Sequence, residues 1–473
     1  MDEYQDIDAG QYKLISALAG RKRSDEDGRL NLFAVGDDDQ NIYGFAGASV
    51  EFIRRFADDY QARTQFLIEN YRSTRHIVDV ANAVIGAAAE RMKGEQIRVN
   101  AARAKAMPGG DWQELDLVGQ GRVQILPAGR DATDQALAVY TELKRMMALG
   151  LDPRTTAVIA RQWKFLDPLR AALEAGGVPV VMADEQAPPL WRLREAQALL
   201  GYLEDRQRAL GSRLIRSDDI QPWLAEQGGS GWWPMLAEAI GEFAEDTQGA
   251  EVSLSILRDW LAEWGHANRT KQHGVLLLTA HRAKGLEFDH VFVLDGEWRA
   301  GRTEDKDAVR RLYYVSMTRA RATLTLVRMG LVNEIVDGLG DHPALFRRPS
   351  ASWLPAPGPM SYRYFRLGLK DIDLGYAGRQ TSGSAVHRAI TALRVGDPLR
   401  YVADDKGVRL ESRSGVTVGR LSRRFVPPAG LSCTEARVRG LMFWRKCDSS
   451  PEYPAHCRLD AWEVVLPELV FAP

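Results

Sequence analysis

Two adjacent carboxylates stand at the head of the chain, where Met1 is followed by Asp2-Glu3-Tyr4-Gln5-Asp6. Such a pair suits phosphoryl transfer, in which one acid holds the Mg2+ shell and the other orients or deprotonates the attacking water. On that chemistry Asp2 takes the metal and Glu3 the water. Further along, Val35-Gly36-Asp37-Asp38-Asp39-Gln40-Asn41-Ile42-Tyr43-Gly44-Phe45 sets an amide and two aromatic rings just beyond an apolar run. The Gln40 amide suits hydrogen bonding to a terminal phosphate, and Tyr43 and Phe45 offer faces on which bases stack. In Glu69-Asn70-Tyr71-Arg72-Ser73-Thr74 a ring lies beside a guanidinium, Tyr71 for stacking on an adenine and Arg72 for reaching phosphates with its fork of donors. The stretch Thr279-Ala280-His281-Arg282-Ala283-Lys284-Gly285-Leu286-Glu287-Phe288 joins a hydroxyl, an imidazole and a cation ahead of a glycine turn, then offers Glu287 to a ribose hydroxyl. Finally, Arg310 to Ala320 reads as a helix with Leu312, Val315 and Ala320 apolar. In it Arg319 supplies the permanent, delocalised charge that an arginine finger needs.

Taken one at a time, these residues have plainer readings. A charged terminus is usually a solvated tail, an aromatic pair after a loop usually packs in a core, and a lone arginine on a helix is usually solvated. Their order and separation along one chain favour the chemical reading.

Residues of these types act only when strands carry them to one edge of a sheet. Short apolar, β-branched runs alternate with segments of helical period, the pattern of a mainly parallel α/β sheet. The spacing predicts strands over Leu30 to Val35, Gln65 to Ile68, Thr155 to Ala160, Val275 to Thr279, His290 to Leu294 and Thr323 to Val327. Helical, tryptophan-containing segments fill residues 186–268, notably Trp191 to Glu204 and Leu254 to Trp264. A proline-rich linker is expected over 339–359, and a small C-terminal domain with β content over 360–473, where short alternating segments are punctuated by glycine, notably Val408 to Leu421.

Composition bounds the answer loosely. The 473 residues are 45% hydrophobic and 26% charged, those of a globular protein of about three domains. With 62 basic against 63 acidic residues, bulk charge gives no sign of a nucleic-acid partner. Cys433, Cys447 and Cys457 are odd in number and lack paired spacing, which fits a reducing compartment. The sequence has neither a membrane span nor a secretory signal, so no membrane partner is expected and the chain reads as cytoplasmic.

Together the five segments resemble, from motif II to motif VI, the superfamily 1 DNA helicases of the UvrD/PcrA/Rep type. The resemblance covers residues 1 to about 335. It implies RecA-like P-loop NTPase lobes: the C-terminal part of lobe 1 over 1–64, and lobe 2 over 65–185 and 269–338 with 186–268 inserted. It further implies ATP and Mg2+ as cofactors and single-stranded or partly duplex DNA as partner, with 3′ to 5′ movement in DNA repair or recombination. By the same resemblance Asp2 binds Mg2+, Glu3 activates water, Gln40, Arg72 and Arg319 contact phosphate, Tyr71 and Glu287 hold the nucleoside, and Tyr43, Phe45, Thr279 and His281 meet DNA.

Three departures qualify it. Such helicases need G-x-x-x-x-G-K-[ST] to cradle phosphates, and these residues contain no Gly-Lys dipeptide. The N-terminal part of lobe 1 is therefore expected to be absent, supplied by an upstream-encoded segment, and the chain alone is expected to be inactive. Gly44-Phe45-Ala46 replaces an arginine and tryptophan of many relatives, so modest single-strand affinity is expected. In the tail, Gly383 to His387 resembles the first motif of RecB-type nucleases, but the acids Asp404 or Asp405 and Glu411-Ser412-Arg413 have arginine where lysine is required. Ser414 to Arg424 resembles a basic-ended hairpin of HIRAN-type barrels, and the tail as a whole resembles the C-terminus of RecQ/UvrD-like fusion helicases. The alternative from another class is a non-catalytic DNA-binding or protein-interaction module.

Overall fold

A computed structural model of the chain describes residues 1–22, 30–44, 47–89, 91–93, 100–101, 123–183, 188–212, 214–267, 272–301, 305–330, 332–349, 352–405, 407–448 and 456–473. The chain divides into two compact units, 1–183 with 272–360, and 184–271 with 361–473.

The first unit is built on seven strands: β1 (Val123–Pro127), β2 (Thr156–Ala160), β3 (Val180–Met182), β4 (Val275–Thr279), β5 (Phe288–Val293), β6 (Ala320–Arg328) and β7 (Leu345–Arg347). They hydrogen-bond in the order β7-β1-β6-β5-β2-β4-β3, and every pairing is parallel. Parallel sheets are covered on both faces, so their strands read as continuous apolar runs. Accordingly Ala157 and Ile159 of β2 join one core, while Val158 and Ala160 join the other. Each large aliphatic side chain so buried contributes roughly 1.5–3 kcal/mol. Close approach fixes one glycine: a Cβ on Gly274 would lie 2.3 Å from the Pro179 carbonyl oxygen, where β3 and β4 come together.

Sequence expectation and structure differ at several places in this unit. Leu30 to Val35 forms no strand, although the Met1 amino group donates to Phe33 O, Val35 N to Met1 O and Tyr4 N to Val35 O. Pairing moves from Gln65–Ile68 to Glu69–Asn70, which lies parallel to Asn100–Ala101. The helix carrying Arg310 ends at Met317, and Ala320 already begins β6, so Arg319 sits in the turn between them. Within the stretch read as a linker, Leu345–Arg347 is the edge strand, held by Val123 and Ile125 of its neighbour. Residues 1–61 carry their own small core of Tyr4, Ile7, Tyr12 and Ile15, against which Phe52, Ile53 and Phe56 pack.

The second unit joins two stretches far apart in sequence. Helices Arg194–Leu210, Trp233–Thr247 and Leu254–Ala267 close around Leu199, Leu236, Ile240, Phe243 and Leu261. The later stretch forms a six-stranded antiparallel sheet of β8 (Arg363–Arg366), β9 (Pro398–Asp404), β10 (Gly407–Glu411), β11 (Thr417–Arg420), β12 (Ser432–Arg445) and β13 (Ala461–Ala472). Its order is β8-β13-β12-β9-β10-β11; β10 and β11 form a hairpin turning at residues 412–416, so Ser414 to Arg424, expected to be a hairpin by itself, supplies only the second strand.

The helical stretch and the tail, separate in the sequence reading, are bonded to each other within this unit. Arg194 donates to Glu463 at 2.5 Å and to the carbonyls of Ile390 and Leu393 at 2.9 and 2.6 Å. The Arg192 guanidinium lies 4.4 Å from the Trp191 ring and 4.5 Å from Trp444, and pairs with Asp448 at 2.6 Å. Trp232 donates its indole N–H to Arg439 O at 3.1 Å.

Candidate functional site

The site forms where strand ends of the first unit meet residues 1–43. Thr279 closes β4 and is buried, and the short helix Ala280–Ala283 follows, turning at Gly285 with φ +81°. The loop delivers Lys284, whose side chain is 7% exposed and buried among acceptors. It pairs with Asp6, lies 3.1 Å from Glu3 Oε2, donates to Gln40 O at 3.0 Å and sits 5.3 Å from the Tyr43 ring centroid. Burial raises the Asp6 carboxyl above its ordinary value, against the opposing pull of Lys284. Lys284 and Asp6 lie within the β4 and amino-terminal motifs, but nothing in the spacing of either names a partner 278 residues away.

Gln40 ends the 3-10 turn Asp38–Gln40, which the Asp37 side chain caps by accepting from Asp39 N. Its Nε2 donates to Asp37 Oδ2 at 2.9 Å, which leaves Oε1 turned to Arg319 Nη2 at 3.3 Å. Arg319 is 2% exposed, so the solvated-surface reading fails for it. It donates to Val315 O, Leu286 O and Thr318 Oγ1 at 2.9, 3.3 and 3.1 Å. Burial first, and the neighbouring Arg72 charge second, lower its pKa to about 10, which leaves it protonated at neutral pH.

Arg72 approaches from the other side. Its Nη1 donates to Thr318 O at 3.3 Å, its fork pairs with Glu287, and its Nε is buried with no hydrogen-bond partner among the described residues. Glu287 also takes Arg321 at 2.8 Å; burial would raise its carboxyl, but Arg321 and Arg72 outweigh that and hold it below the usual range. Tyr71 is 70% exposed, its ring open and its hydroxyl bonded to Glu69.

Asp2 and Glu3 are exposed, Asp2 accepting from Glu3 N at 2.9 Å and Glu3 taking left-handed backbone at φ 51°. Tyr43 is half-buried against the core and donates to His281 O at 3.4 Å, so the core-packing reading holds for part of its ring. His281 is half-buried on its short helix. Phe45 lies outside the described residues. A second acid cluster, Asp37, Asp38 and Asp39, has ligand atoms within 4.8 Å of one another. Cations of the chain already hold it: Lys93 pairs with Asp37 and Asp39, and Arg91 grips Asp39 at 2.8 and 2.7 Å. Burial pushes Asp39 upward, but Arg91 and Lys93 outweigh it and keep the carboxyl low.

The arrangement offers donors suited to phosphate oxygens. Two guanidiniums converge, one with an unpartnered N–H, beside an amide whose oxygen is already engaged by the arginine. Exposed Asp2 is open to a hydrated divalent ion. Among the described residues of the tail, the nuclease-like acids Asp404 and Glu411 both engage Arg409.

Family models match two stretches: the UvrD/REP helicase N-terminal domain over residues 1–61 and the UvrD-like helicase C-terminal domain over 274–327. The chain is related to ATP-dependent DNA helicases. The first match runs against the expectation that the N-terminal part of such a helicase is absent, because residues 1–61 themselves match the model of that domain. Among curated relatives, the ATP-dependent DNA helicase UvrD2 of Mycobacterium tuberculosis is 29% identical over 354 residues, covering 69% of this chain and 46% of that protein. The ATP-dependent DNA helicase UvrD1 of Mycobacterium tuberculosis is 27% identical over 520 residues, covering 88% of this chain and 66% of that protein. The chain spans about half to two thirds of the length of these relatives. The crystal structure of the C-terminal domain of a possible DNA helicase from Lactobacillus plantarum, 16% identical, overlaps 59% of this chain and 98% of that one with a TM-score of 0.28. Among the described residues no helix is long and apolar enough to cross a membrane.

Proposed function

We propose that this chain carries the carboxylate, glutamine and arginine half of an ATP-driven motor acting 3′ to 5′ on single-stranded or partly duplex DNA, in repair or recombination. One observation carries the reading: Gln40 and Arg319, 279 residues apart, meet at 3.3 Å beside Arg72 and the lysine that touches Glu3. Their meeting brings the acid and arginine segments to one place.

Each residue then has a task. Asp2 would hold Mg2+, which when bound screens phosphate charge, and Glu3 would orient the attacking water. Gln40 and Arg319, now bonded to each other, would both turn to the terminal phosphate. Arg72 exchanges Glu287 for phosphate oxygens, which frees Glu287 to accept from the ribose. The open ring of Tyr71 stacks on adenine. Thr279, His281, Tyr43 and Phe45 meet DNA, and the Tyr43 hydroxyl on His281 O ties two of these contacts together.

The phosphate-cradling lysine loop belongs, on this reading, to a further segment of the motor. Leu14, Leu18, Leu30 and Phe33 are 60%, 65%, 67% and 78% exposed, an apolar set of the kind that marks an interaction surface. Purified alone, the chain is expected to show negligible DNA-stimulated ATP hydrolysis; measurable turnover would overturn that division of labour. Titrating labelled ATP and single-stranded DNA separately tests the rest. A non-catalytic binding module would hold DNA with no dependence on nucleotide.

A further inference from the structure

The tail carries a charge asymmetry that the motor reading leaves unused. Residues 361–473 hold 18 Lys and Arg against 12 Asp and Glu, a formal +6, whereas the other 360 residues hold 44 against 51, a formal −7. Fifteen of those 18 cations are arginines, the side chain whose planar fork matches phosphate oxygens.

Half of the surplus lies in residues 404–424, 6 Lys and Arg against 3 Asp and Glu, at one end of the six-stranded sheet. Strand β11 is its last strand, and Arg420 on it lies directly opposite Arg409 of β10. Like charges facing each other across two strands are destabilising. Arg409 is compensated by Asp404 and by Glu411 at 2.8 Å, whereas among the described residues the Arg420 guanidinium meets the Tyr376 ring at 6.0 Å and no carboxylate. At the turn joining β10 to β11, Arg413 is exposed; just past β11, so are Arg423 and Arg424. Among the described residues none of these three has a carboxylate partner. Three unpaired arginines thus bracket a strand of about 13 Å, the axial length of about four nucleotides.

We propose that the β10–β11 end of the tail, through Arg413, Arg420, Arg423 and Arg424, is a second nucleic-acid contact that grips the phosphate backbone. The contact is sequence-independent, since it presents guanidiniums to phosphates and offers little that reads bases.

The test uses the full chain and fluorescence anisotropy with a labelled 20-nucleotide strand and a 20-base-pair duplex, over a range of salt. R413Q/R423Q/R424Q changes exposed side chains only. It should weaken binding about 10- to 100-fold and reduce the slope of log affinity against log salt by about 2–3. K13Q/K22Q/K144Q removes the same charge from exposed positions elsewhere and should leave affinity within about twofold. An unchanged affinity and slope in the arginine variant, an equal loss in the lysine control, or no binding by the wild-type chain each overturns the inference. Binding lost in T279A/H281A yet untouched by the arginine variant overturns it while leaving the motor reading intact. Which of strand or duplex loses more shows which form of the polymer the surface holds.

Discussion

Lys284→Met tests the contact that ties the β4 loop to the acidic segment. Methionine keeps the apolar stem and removes the ammonium from between Asp6, Glu3 and Gln40 O. The Asp6 side chain, 17% exposed, then loses its counter-charge. Breaking a buried pair costs roughly 3–5 kcal/mol, and partial exposure with escape by protonation reduces this to about 2–3 kcal/mol. In thermal unfolding that is a fall in Tm of about 4–10 °C. The deficit carries a pH signature. Asp6 already has a raised pKa, so its protonated form favours the folded state, and that contribution fades as pH rises through the folded value. Without Lys284 both of the opposing influences vanish and the carboxyl rises further, so the deficit should be largest at pH 8 and smallest near pH 5. Calorimetry of the full chain, K284M, D6N and D6N/K284M at both pH values measures it. D6N/K284M should recover most of the loss, a coupling of about 2 kcal/mol. Equal deficits at pH 5 and 8, or strict additivity in the double variant, would refute the reasoning.

His290 is buried with its pKa lowered to about 4, chiefly by burial. The unfolded chain therefore binds the extra proton between about pH 6.5 and 4, and stability should fall across that window by up to about 3 kcal/mol; urea titrations of the wild-type chain and H290Q check it, the variant being flatter. R319K keeps a charge but loses the fork that reaches both Val315 O and Gln40, and should lower ATP turnover about a thousandfold once the lysine-loop segment is supplied, read as kcat against KM. Asp295, 4% exposed, accepts from Arg328 at 2.6 Å, Met329 N at 3.0 Å and Asn333 at 2.9 Å, so D295A should cost about 3–5 kcal/mol, measured by Tm.

The central strands were legible because each is short, apolar and buried on both faces: Val275–Thr279 is the strand its composition announces. Edge strands were not. Leu345–Arg347 sits in a proline-rich context and is held by a single neighbour, so its identity comes from β1 rather than from its own residues. Leu30 to Val35 has the right composition yet meets Met1 and Tyr4 through a few backbone bonds at its end, and composition cannot supply a full partner strand. In the site, Gln40, Arg72 and Arg319 were readable as types suited to phosphate. Their restraints were not, because Glu287 on Arg72, Lys93 on Asp37 and Lys284 on Asp6 are pairings that only tertiary structure creates.

Arg194 and Glu463, which lock helix to sheet in the second unit, are 269 residues apart. At about 5–20 residues per second, a ribosome takes roughly 15–50 s to make the second partner after the first. Through that interval the surface around Leu193, which Met442 will cover by a backbone bridge, is exposed on a nascent chain whose first unit is also incomplete until residue 360. Half of this unit must wait, unpaired, for the last strand to be translated, so synthesis rate and chaperone supply, as well as sequence, set its yield of native molecules.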